Sequence, residues 1–396
     1  MDADLVVVGN GVVGLSTALA CRHRHPGLRI LLVGPSDRPG AATPAAAAML
    51  AATSEIRPTT FDDPGSAAWL ELVLQAVRRW PEWLAEVAEE SRIPSSLLPG
   101  IARGIVVVGD EHDPGFDAIE DAARRFESPS HRIAPTDIGL LRSDVPRRCL
   151  MLEQEGGIDP VELLRFLDHG IDAVGIQRLD ARVRRAEPGR LVLASGTSIR
   201  ASKILLASGS GCERLLDPGT DLPAALPRIG FSHGVGLRGR ANRVGVAPRH
   251  AIRTPNRDDG SNLYLVPHGE DRIYIGATTT LEDRPRLEPR ALEIEMIHRT
   301  AERLFTTDLT KASLDPVIGS RPASEDGRPV IGELGDGLWI ATGTDRDGLS
   351  AAPELSRRLA DAISGTDDRI PAGFKPSSRT SPASRRTGSR PPAEVC

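Results

Sequence analysis

Residues 4–34 read DLVVVGNGVVGLSTALACRHRHPGLRILLVG, and this stretch decides the fold. Residues 5–8 are a continuous apolar run with the length of a buried strand, and residues 15–23 have the pattern of a helix. A second buried run follows at residues 29–33. The order of these segments predicts a βαβ unit with a glycine-rich turn after its first strand.

The turn has the spacing Gly-x-Gly-x-x-Gly. Gly9 permits the tight turn, Gly11 lets the backbone approach a pyrophosphate, and Gly14 allows the helix to pack closely on the strand. Val12 and Val13 open the helix, whose free N–H groups attract an anion. Such glycine patterns also occur by chance, but the position of this one between a strand and a helix favours dinucleotide binding.

The residue expected to bind the adenosine ribose is missing. An acid is expected about twenty positions after the turn, and Gly34 stands there. Asp37 follows and is our candidate for the ribose contact. The alternative is that Asp37 belongs to a solvated Pro-Ser-Asp-Arg-Pro-Gly turn, and the sequence leaves both possibilities open.

The composition is that of a globular protein. Its 396 residues, 40% of them apolar, can fill two domains or one domain with large insertions. The net charge of −5 argues against nucleic acid as the main partner. Four widely spaced cysteines suggest neither a metal site nor a disulfide framework. Because we find no export signal and no apolar run long enough to cross a bilayer, we expect a cytoplasmic protein without a membrane partner.

Small residues crowd residues 40–51, GAATPAAAAMLA. They would let a ligand contact the backbone, and Thr43 supplies a hydroxyl; the alternative is the start of an alanine-rich helix. Asp63 then caps a predicted helix over residues 64–91. Its apolar stripe includes Trp69 and Trp80, and such a stripe is typical of a core face rather than of a cofactor site.

The rest of the chain alternates between helix and strand patterns before it changes character. We predict strands at residues 104–109, a hairpin over 183–193 and a buried strand from 201, and helices at 116–126 and 161–169, with a polar connection over 128–146. From residue 227 short β runs predict an antiparallel sheet. A helix over residues 289–305 follows, with one apolar face formed by Leu292, Met296, Ala301 and Leu304.

Several segments together resemble the D-amino-acid oxidase and glycine oxidase family of flavoproteins over residues 4–364. They are the opening glycine turn, the small-residue segment ending in Met-Leu-Ala, the Gly-Ile-Asp-Pro helix start at 157–160, the strand and turn at 201–211, and the closing segments 319–332 and 342–353. The family often has glycine where this chain has Ala48, and an aromatic residue and an asparagine where it has Asp345 and Asp347.

The resemblance implies an α/β fold: a Rossmann-like FAD-binding domain and a second, α+β substrate domain built on a mixed or antiparallel sheet. We expect the first domain to comprise residues 1–60, 149–222 and 315–370, and the second to comprise 61–148 and 223–314. The Pro-, Ser- and Arg-rich tail, residues 371–396, buries too little apolar surface to offset its ordering entropy, so we predict that it is disordered.

The resemblance also implies the cofactor and the reaction. FAD would accept a hydride from the C–N carbon of an amino acid or related amine, giving an imine, and dioxygen would reoxidise the flavin with release of H2O2. Related enzymes for N-methyl amino acids attach their flavin to a cysteine near the Arg321 region; since no cysteine lies between Cys212 and Cys396, we expect non-covalent FAD. A homo-oligomer is possible.

The resemblance assigns roles to individual residues. Arg321 would grip the substrate carboxylate, with Tyr264 closing the other side and Arg346 also in the catalytic site; the alternatives are a surface ion pair for Arg321 and a strand tyrosine for Tyr264. Asp345 and Asp347 would either receive a cationic substrate arm or pair with Arg346. The implied cofactor-binding residues are Gly9, Gly11, Val12, Val13, Gly14, Asp37, Thr43, Ala47, Ala48, Met49, Ala207, Gly209, Gly343, Asp347, Gly348, Leu349 and Ser350.

Three other functions compete with an oxidase of primary amino acids. One is the oxidative cleavage of an N-substituted, secondary-amine amino acid in a biosynthetic pathway. Another is a binding protein that has kept the fold and lost flavin, which the glycine at position 34 would suit. A nicotinamide-dependent dehydrogenase is the least favoured, because the closing segments around Arg321 and Gly343 have no place in it.

Overall fold

The computed structural model describes residues 2–143, 147–216, 226–241, 248–257, 262–306 and 314–378. The strands are β1 Ala3–Val8, β2 Ile30–Val33, β3 Met49–Leu50, β4 Ile101–Gly109, β5 Ser130–Ile133, β6 Arg148–Ile158, β7 Gln177–Leu179, β8 Val183–Glu187, β9 Arg190–Leu193, β10 Ser198–Leu206, β11 Ile229–Arg240, β12 Ala251–Arg253, β13 Tyr264–His268, β14 Arg272–Gly276, β15 Thr280–Glu282, β16 Asp315–Ser324, β17 Val330–Gly335 and β18 Leu338–Thr342. The helices are α1 Val12–Arg24, α2 Ala42–Ala45, α3 Pro64–Glu90, α4 Pro114–Arg125, α5 Pro160–Ala173, α6 Cys212–Leu215, α7 Ala291–Leu304 and α8 Ala352–Ser364.

The first sheet grows from β1, as the opening sequence predicts. Its order is β17-β18-β10-β1-β2-β7, and the neighbours from β18 to β7 run parallel, while β17 is antiparallel. The residues of β1 are almost fully buried because α1, α5 and α8 cover one face, which gives the strand its continuous apolar sequence. The hairpin β8–β9 extends from the start of β10.

The second sheet carries most of the antiparallel pairs. Its order is β15-β11-β14-β13-β12-β4-β6-β3, with β16 paired to β11 and β5 paired to β6. Alternate residues of β11 and β14, including Val235, Leu237 and Ile275, pack against α7 in a separate apolar core. The pairing of β16 with β11 runs from Asp315 to Ser324 without a break, and it sets the position of Arg321.

The strand pairing bears on the domain boundaries that we predicted, which themselves stay a prediction. Residues 149–158 and 315–324 were assigned to the FAD-binding domain, but β6 and β16 pair within the second sheet. The polar connection over 128–146 is also more structured than predicted, because β5 pairs with β6, although residues 144–146 lie outside the description. These strands lack the alternating pattern that would have identified them as members of one sheet or the other.

Two further predictions need correction. On α7, Ala301 and Leu304 are buried as predicted, but Leu292 and Met296 are exposed to 64% and 41%, and Glu293 and Ile297 complete the buried face instead. The disordered tail was predicted from residue 371, yet Phe374 is completely buried within a short 3-10 turn, Ala372–Phe374. Phe374 packs edge-on against Trp69 at a ring distance of 5.6 Å, and residues 379–396 lie outside the description.

None of the helices within the described ranges is both long and apolar enough to span a bilayer.

Candidate active site

A cavity of about 420 Å³ lies between the two sheets, at the carboxyl end of β1. This edge of a parallel sheet is where α/β proteins bind nucleotides. Of the twenty site residues that we predicted, seventeen line the cavity: Gly9, Gly11, Val12, Val13, Thr43, Ala47, Ala48, Met49, Ala207, Gly209, Tyr264, Arg321, Arg346, Asp347, Gly348, Leu349 and Ser350. Gly14, Asp37 and Gly343 do not line it.

The glycine turn has the shape that a pyrophosphate requires. Gly9 has φ +113°, and a Cβ there would collide with the Ala207 carbonyl of the neighbouring strand. A Cβ on Gly14 would collide with the Gly9 carbonyl, so Gly14 serves the close packing of α1 on the turn rather than the cavity itself. Helix α1 has no acidic residue in its first turn, and the residue before it, Gly11, has no side chain to cap it; only the Thr43 hydroxyl, among the described side chains, accepts from its first N–H, that of Val12, at 3.2 Å. Its N-terminal dipole therefore stays available for an anion.

The missing acid at position 34 has a steric explanation. A Cβ on Gly34 would lie 3.0 Å from Cγ of Asn10, whose amide Nδ2 donates to the Pro35 carbonyl at 2.9 Å. The Asn10 side chain thus occupies the place that a side chain at position 34 would need. Asp37 is exposed and does not line the cavity, so the structure does not support it as the ribose ligand.

Arg38 takes the place on the cavity wall that we assigned to Asp37. Its Nε donates to the Asn10 carbonyl at 2.9 Å, and its Nη2 donates to both oxygens of Asp168, at 2.6 and 2.8 Å. The backbone of Arg38 has φ +48°. The guanidinium is therefore fixed beside the turn by partners on two other segments.

The small-residue segment runs along the cavity as an extended chain rather than as a long helix. Only Ala42–Ala45 form a helical turn, and Ala48 adopts φ +54°, the left-handed conformation that glycine adopts most easily. This explains why the family often has glycine there. His268 accompanies the segment with Nε2 2.8 Å from the Ala47 carbonyl, and burial lowers the pKa of His268 to about 4.

Arg321 reaches the cavity from β16. A Cβ on Gly234 of the paired strand β11 would overlap the Arg321 guanidinium, so this glycine makes room for it. Nη1 donates to Thr279 Oγ1 at 3.2 Å, and no carboxylate within the described ranges forms an ion pair with Arg321. The surface ion pair with Glu325 or Asp326 that we considered is therefore not formed.

Two tyrosines form the wall next to Arg321. Tyr264, at the start of β13, is 4% exposed, and Tyr274, on β14, is 1% exposed. A Cβ on Gly236 would overlap the Tyr274 hydroxyl, so β11 leaves room for this ring as well. Burial raises the pKa of Tyr274. The Tyr274 phenol is therefore neutral at ordinary pH and can act as a hydrogen-bond donor.

A buried charge cluster forms another part of the wall. Glu55 accepts a hydrogen bond from Arg253 and receives Nδ2 of Asn256 at 3.0 Å, while Arg346 donates to Asn256 Oδ1 at 2.9 Å and lies 3.6 Å from Glu55. Burial alone would raise the pKa of Glu55, but these partners lower it to about 2. Glu55 is therefore ionised and satisfied.

The turn that carries Glu55 is fixed by hydrogen bonds to Glu155 on β6. Glu155 Oε1 accepts from the backbone N–H of Thr53 at 2.5 Å and of Ala52 at 3.1 Å. Burial raises the pKa of Glu155. Glu55 therefore occupies a position that β6 fixes through backbone hydrogen bonds.

The loop over residues 343–350 closes the cavity opposite the glycine turn. Gly343 begins the loop with φ +73°, and a Cβ there would lie 3.2 Å from the Arg328 carbonyl oxygen. Gly343 therefore forms the turn and does not contact the ligand. Asp347 Oδ2 accepts a hydrogen bond of 2.8 Å from the indole N–H of Trp69. Trp80 of the same helix donates to the Ser350 carbonyl at 3.0 Å. The tryptophan stripe of α3 therefore holds this loop in addition to filling the core.

The chain matches the family model described as FAD dependent oxidoreductase, DAO, over residues 4–362. It belongs to this family. Two relatives cover most of it: a glycine oxidase of Geobacillus kaustophilus is 24% identical over 91% of this chain and 92% of its own length, and a bifunctional protein ThiO/ThiG of Trichormus variabilis is 26% identical over 92% of this chain. The match spans only 53% of that bifunctional relative.

Solved structures share the fold. The crystal structure of glycine oxidase from Geobacillus kaustophilus superposes with a TM-score of 0.76 at 20% identity, covering 96% of this chain and 99% of the other. That of iminodiacetate oxidase from Chelativorans sp. BNC1 gives 0.75 at 19% identity, covering 94% and 98%. These structures show the shared fold, and the family match over residues 4–362 makes the chain an FAD-dependent oxidoreductase.

The residues of this FAD-dependent oxidoreductase fit the cofactor. The glycine turn, the open start of α1 and the Thr43 hydroxyl, which accepts from the Val12 N–H at 3.2 Å, provide a pyrophosphate cradle. On the other side, residues 344–350 lead into α8, whose N-terminal dipole can favour negative charge on a bound ring.

Sequence reasoning missed several members of this site. Arg38, Glu55, Asn10 and Tyr274 all line the cavity but were not among our site residues. Tyr274 carried the clearest available signal, because it is the other of the chain's two tyrosines and follows the predicted site residue Tyr264 by ten residues. Asn10 could be recognised only by its contact with Gly34 in space.

Proposed function

We propose that this FAD-dependent oxidoreductase oxidises the Cα–N bond of a small amino acid or related amine that carries a carboxylate. The observation that carries this proposal is Arg321. Its guanidinium lines the same cavity as the glycine turn, and it has a hydroxyl but no carboxylate as partner within the described ranges. A half-buried cation on a cavity wall, without a carboxylate partner, favours an anionic ligand.

Binding is the main task of the protein side chains. Arg321 can hold a carboxylate with two parallel N–H donors, which fixes both position and rotation of the substrate. Tyr264 and Tyr274 line the cavity beside it, and each has a hydroxyl that can donate a further hydrogen bond. Several donors around one carboxylate fix the orientation of the substrate, so that the Cα–H and the amine face the cofactor in one way. This orientation is the geometric requirement for the reaction.

The walls keep the reacting centre dry. Apolar and small side chains line the cavity from residues 41–49, and the 343–350 loop is tied to α3 by two indole hydrogen bonds. Bound FAD supplies the two-electron acceptor and passes the electrons to dioxygen, with H2O2 as the product. The dipole of α8 and the Arg346 guanidinium provide positive potential on this side of the cavity.

We propose non-covalent attachment of FAD. Cys21, Cys149 and Cys212 are buried free thiols, and they do not line the cavity. Burial raises the pKa of Cys21 to about 12 and of Cys149 to about 11, so these thiols are poor nucleophiles. Free buried thiols also agree with our proposal of a reducing, cytoplasmic location.

The test is a panel of amines assayed with the FAD-loaded protein. Glycine, D- and L-alanine, sarcosine and iminodiacetate are offered, with peroxide release as the first readout and released ammonia or primary amine as the second. Ammonia indicates a primary amino acid as substrate, whereas a released primary amine indicates a secondary amine. The paired carboxylate-free amines, methylamine and dimethylamine, should not be oxidised.

Arg321→Ala supplies the matched variant. We expect KM for the preferred substrate to rise about 100-fold, the cost of one charge-assisted pair, while the flavin absorption spectrum is retained. The control is Arg240→Ala. Arg240 lies at the end of β11, its exposed guanidinium pairs with Asp271, and its loss should leave KM unchanged. Equal KM values for Arg321→Ala and the unmodified chain would contradict the proposal.

A further inference from the structure

Three carboxylates line the cavity, and their environments differ. Glu55 is compensated by Arg253, Arg346 and the Asn256 amide. Asp345 is 47% exposed in its side chain and lies 3.8 Å from the Arg346 guanidinium. Asp347 is half-buried, and it forms no ion pair with any described residue.

The contacts of Asp347 leave one oxygen for a ligand. Oδ2 is fixed by the Trp69 indole N–H at 2.8 Å. Oδ1 has no protein hydrogen-bond partner among the described residues, and the residue lies on the cavity wall with Arg321 and Tyr264. Once a ligand fills the cavity and displaces water, a carboxylate oxygen that the protein leaves unpaired is costly unless the ligand donates to it or it binds a proton.

The chemistry of the substrate supplies such a donor. An amino acid at neutral pH carries its amine as ammonium, and the nitrogen lone pair that assists departure of the Cα hydride is blocked until one N–H proton leaves. Arg321 can bind the carboxylate of this zwitterion. Arg321 and the other cations of the cavity wall cannot accept the ammonium proton, so a separate acceptor is needed.

We propose that Asp347 is a catalytic residue that receives the ammonium proton of the bound substrate on Oδ1. One N–H bond breaks and one O–H bond forms, the electron pair stays on nitrogen, and no net charge enters the cavity. This inference rests on the proposed function, because it requires an amine substrate held by its carboxylate.

The surroundings suit this proton transfer. Burial raises the pKa of Asp347 to about 7, supported by the carboxylates of Glu55 and Asp345 and opposed by the Trp69 hydrogen bond and by Arg346. Among the described residues, the other charged or titratable groups that line the cavity are Arg38, Arg182, Arg321, Tyr264 and Tyr274. A base whose pKa lies near the working pH is partly ionised before the substrate binds and still basic enough to accept a proton.

The first test uses the FAD-loaded, unmodified protein and two ligands without a Cα hydrogen. 2-Aminoisobutyrate has an ammonium group, and 2-hydroxyisobutyrate replaces it with a hydroxyl. Their Kd values are measured from the perturbation of flavin absorbance between pH 6 and pH 8. We expect the Kd of the amino ligand to fall about tenfold as Asp347 ionises, while the Kd of the hydroxy ligand stays level or rises.

The second test uses Asp347→Asn, with Asp345→Asn as the neighbouring control. In Asp347→Asn the Kd of the amino ligand should lose its dependence on pH, and the acidic limb of kcat/KM should move from near pH 7 toward the pKa of the free substrate amine. Asp345→Asn removes a carboxylate that is half exposed, and it should retain both profiles with only a small shift.

The outcomes separate this inference from the proposed function. If amines are oxidised and both ligands bind, but the amino ligand has the same pH dependence in the unmodified chain and in Asp347→Asn, the role of Asp347 is refuted and the oxidase function stands. If no amine is oxidised and neither ligand perturbs the flavin, the proposed function fails and this inference falls with it. The comparison of the two ligands on the unmodified protein remains decisive if the variant does not fold.

Discussion

At the scale of single residues, Asp347 determines how the stability of the flavin-free chain should depend on pH. Its pKa is about 7 in the folded chain, mainly because of burial, whereas the ordinary pKa of an aspartate in an unfolded chain is 3.8. The folded chain therefore holds an extra proton between these values, so its free energy of unfolding falls as pH rises through this window and is lowest above pH 7.

Asp347→Asn should remove this dependence. Between about pH 5.5 and pH 8.5 the unmodified chain should lose at most about 2 kcal/mol relative to the variant, from roughly 1.5 pH units of titration. Urea unfolding of the flavin-depleted proteins at the two pH values measures the difference. A variant that loses stability with pH in parallel with the unmodified chain would show that Asp347 is ionised throughout.

Single residues also show which parts of the site the sequence could predict. Gly9, Gly11 and Arg321 stand in local motifs whose spacing carries the chemistry, so their places on the cavity followed from the sequence. Asp37 does not line the cavity, and the space beside Gly34 is filled by Asn10, a contact that joins residues 24 positions apart. No local pattern records such a contact.

At the scale of elements, α3 connects the core to the site. Its tryptophans were predicted to form a core face, and they are buried, yet Trp69 and Trp80 also donate to the 343–350 loop. The periodicity of the helix identifies which side chains are buried, but it contains no information about the partner of an indole N–H.

Trp80→Phe should therefore affect the loop. The change leaves the buried Ser350 carbonyl without its 3.0 Å donor, and an unsatisfied buried acceptor costs about 1–3 kcal/mol. We expect this loss in the free energy of unfolding together with a higher Kd for FAD, measured by urea unfolding and by flavin fluorescence.

Trp83→Phe is the control for this prediction. Trp83 lies on the same helix, is 5% exposed and packs edge-on against Trp80 at 4.9 Å, but its indole donates to no acceptor among the described residues. We expect a smaller loss of stability and an unchanged Kd for FAD. Equal effects of the two substitutions on FAD binding would assign the effect to packing rather than to the hydrogen bond.

At the scale of the whole molecule, the segment after α8 closes on the start of α3. Phe374 is fully buried and contacts Trp69 edge-on. Phe374→Ala should cost about 3–5 kcal/mol of stability, the usual range for a buried phenylalanine. Leu292→Ala, at a site 64% exposed on α7, should change stability by less than about 0.5 kcal/mol. Thermal unfolding of both variants checks the contrast, and a similar Tm for the two would contradict the packing of this segment.

The whole molecule explains why the division of the chain was harder to predict than its elements. The βαβ start, the long α3 and the antiparallel second half followed from periodicity and turn residues. Strands β6 and β16 sit at points where the chain passes from one sheet to the other, so their partners are decided by pairing over long sequence separations. The start of the disordered tail was predicted at residue 371 from composition alone. Composition does not reveal that Phe374 is buried in the fold.

The central claim is that the glycine turn and Arg321 serve one ligand-filled cavity in which an amine reduces a bound flavin. Anaerobic addition of the preferred amine to the FAD-loaded protein tests it most directly, with the visible flavin absorbance as the readout. The account predicts that the absorbance is bleached in the unmodified protein, and that Arg321→Ala requires about 100-fold more amine for the same rate. A bound flavin that stays oxidised with every carboxylated amine in the panel, or that is bleached equally well in both proteins, would contradict it.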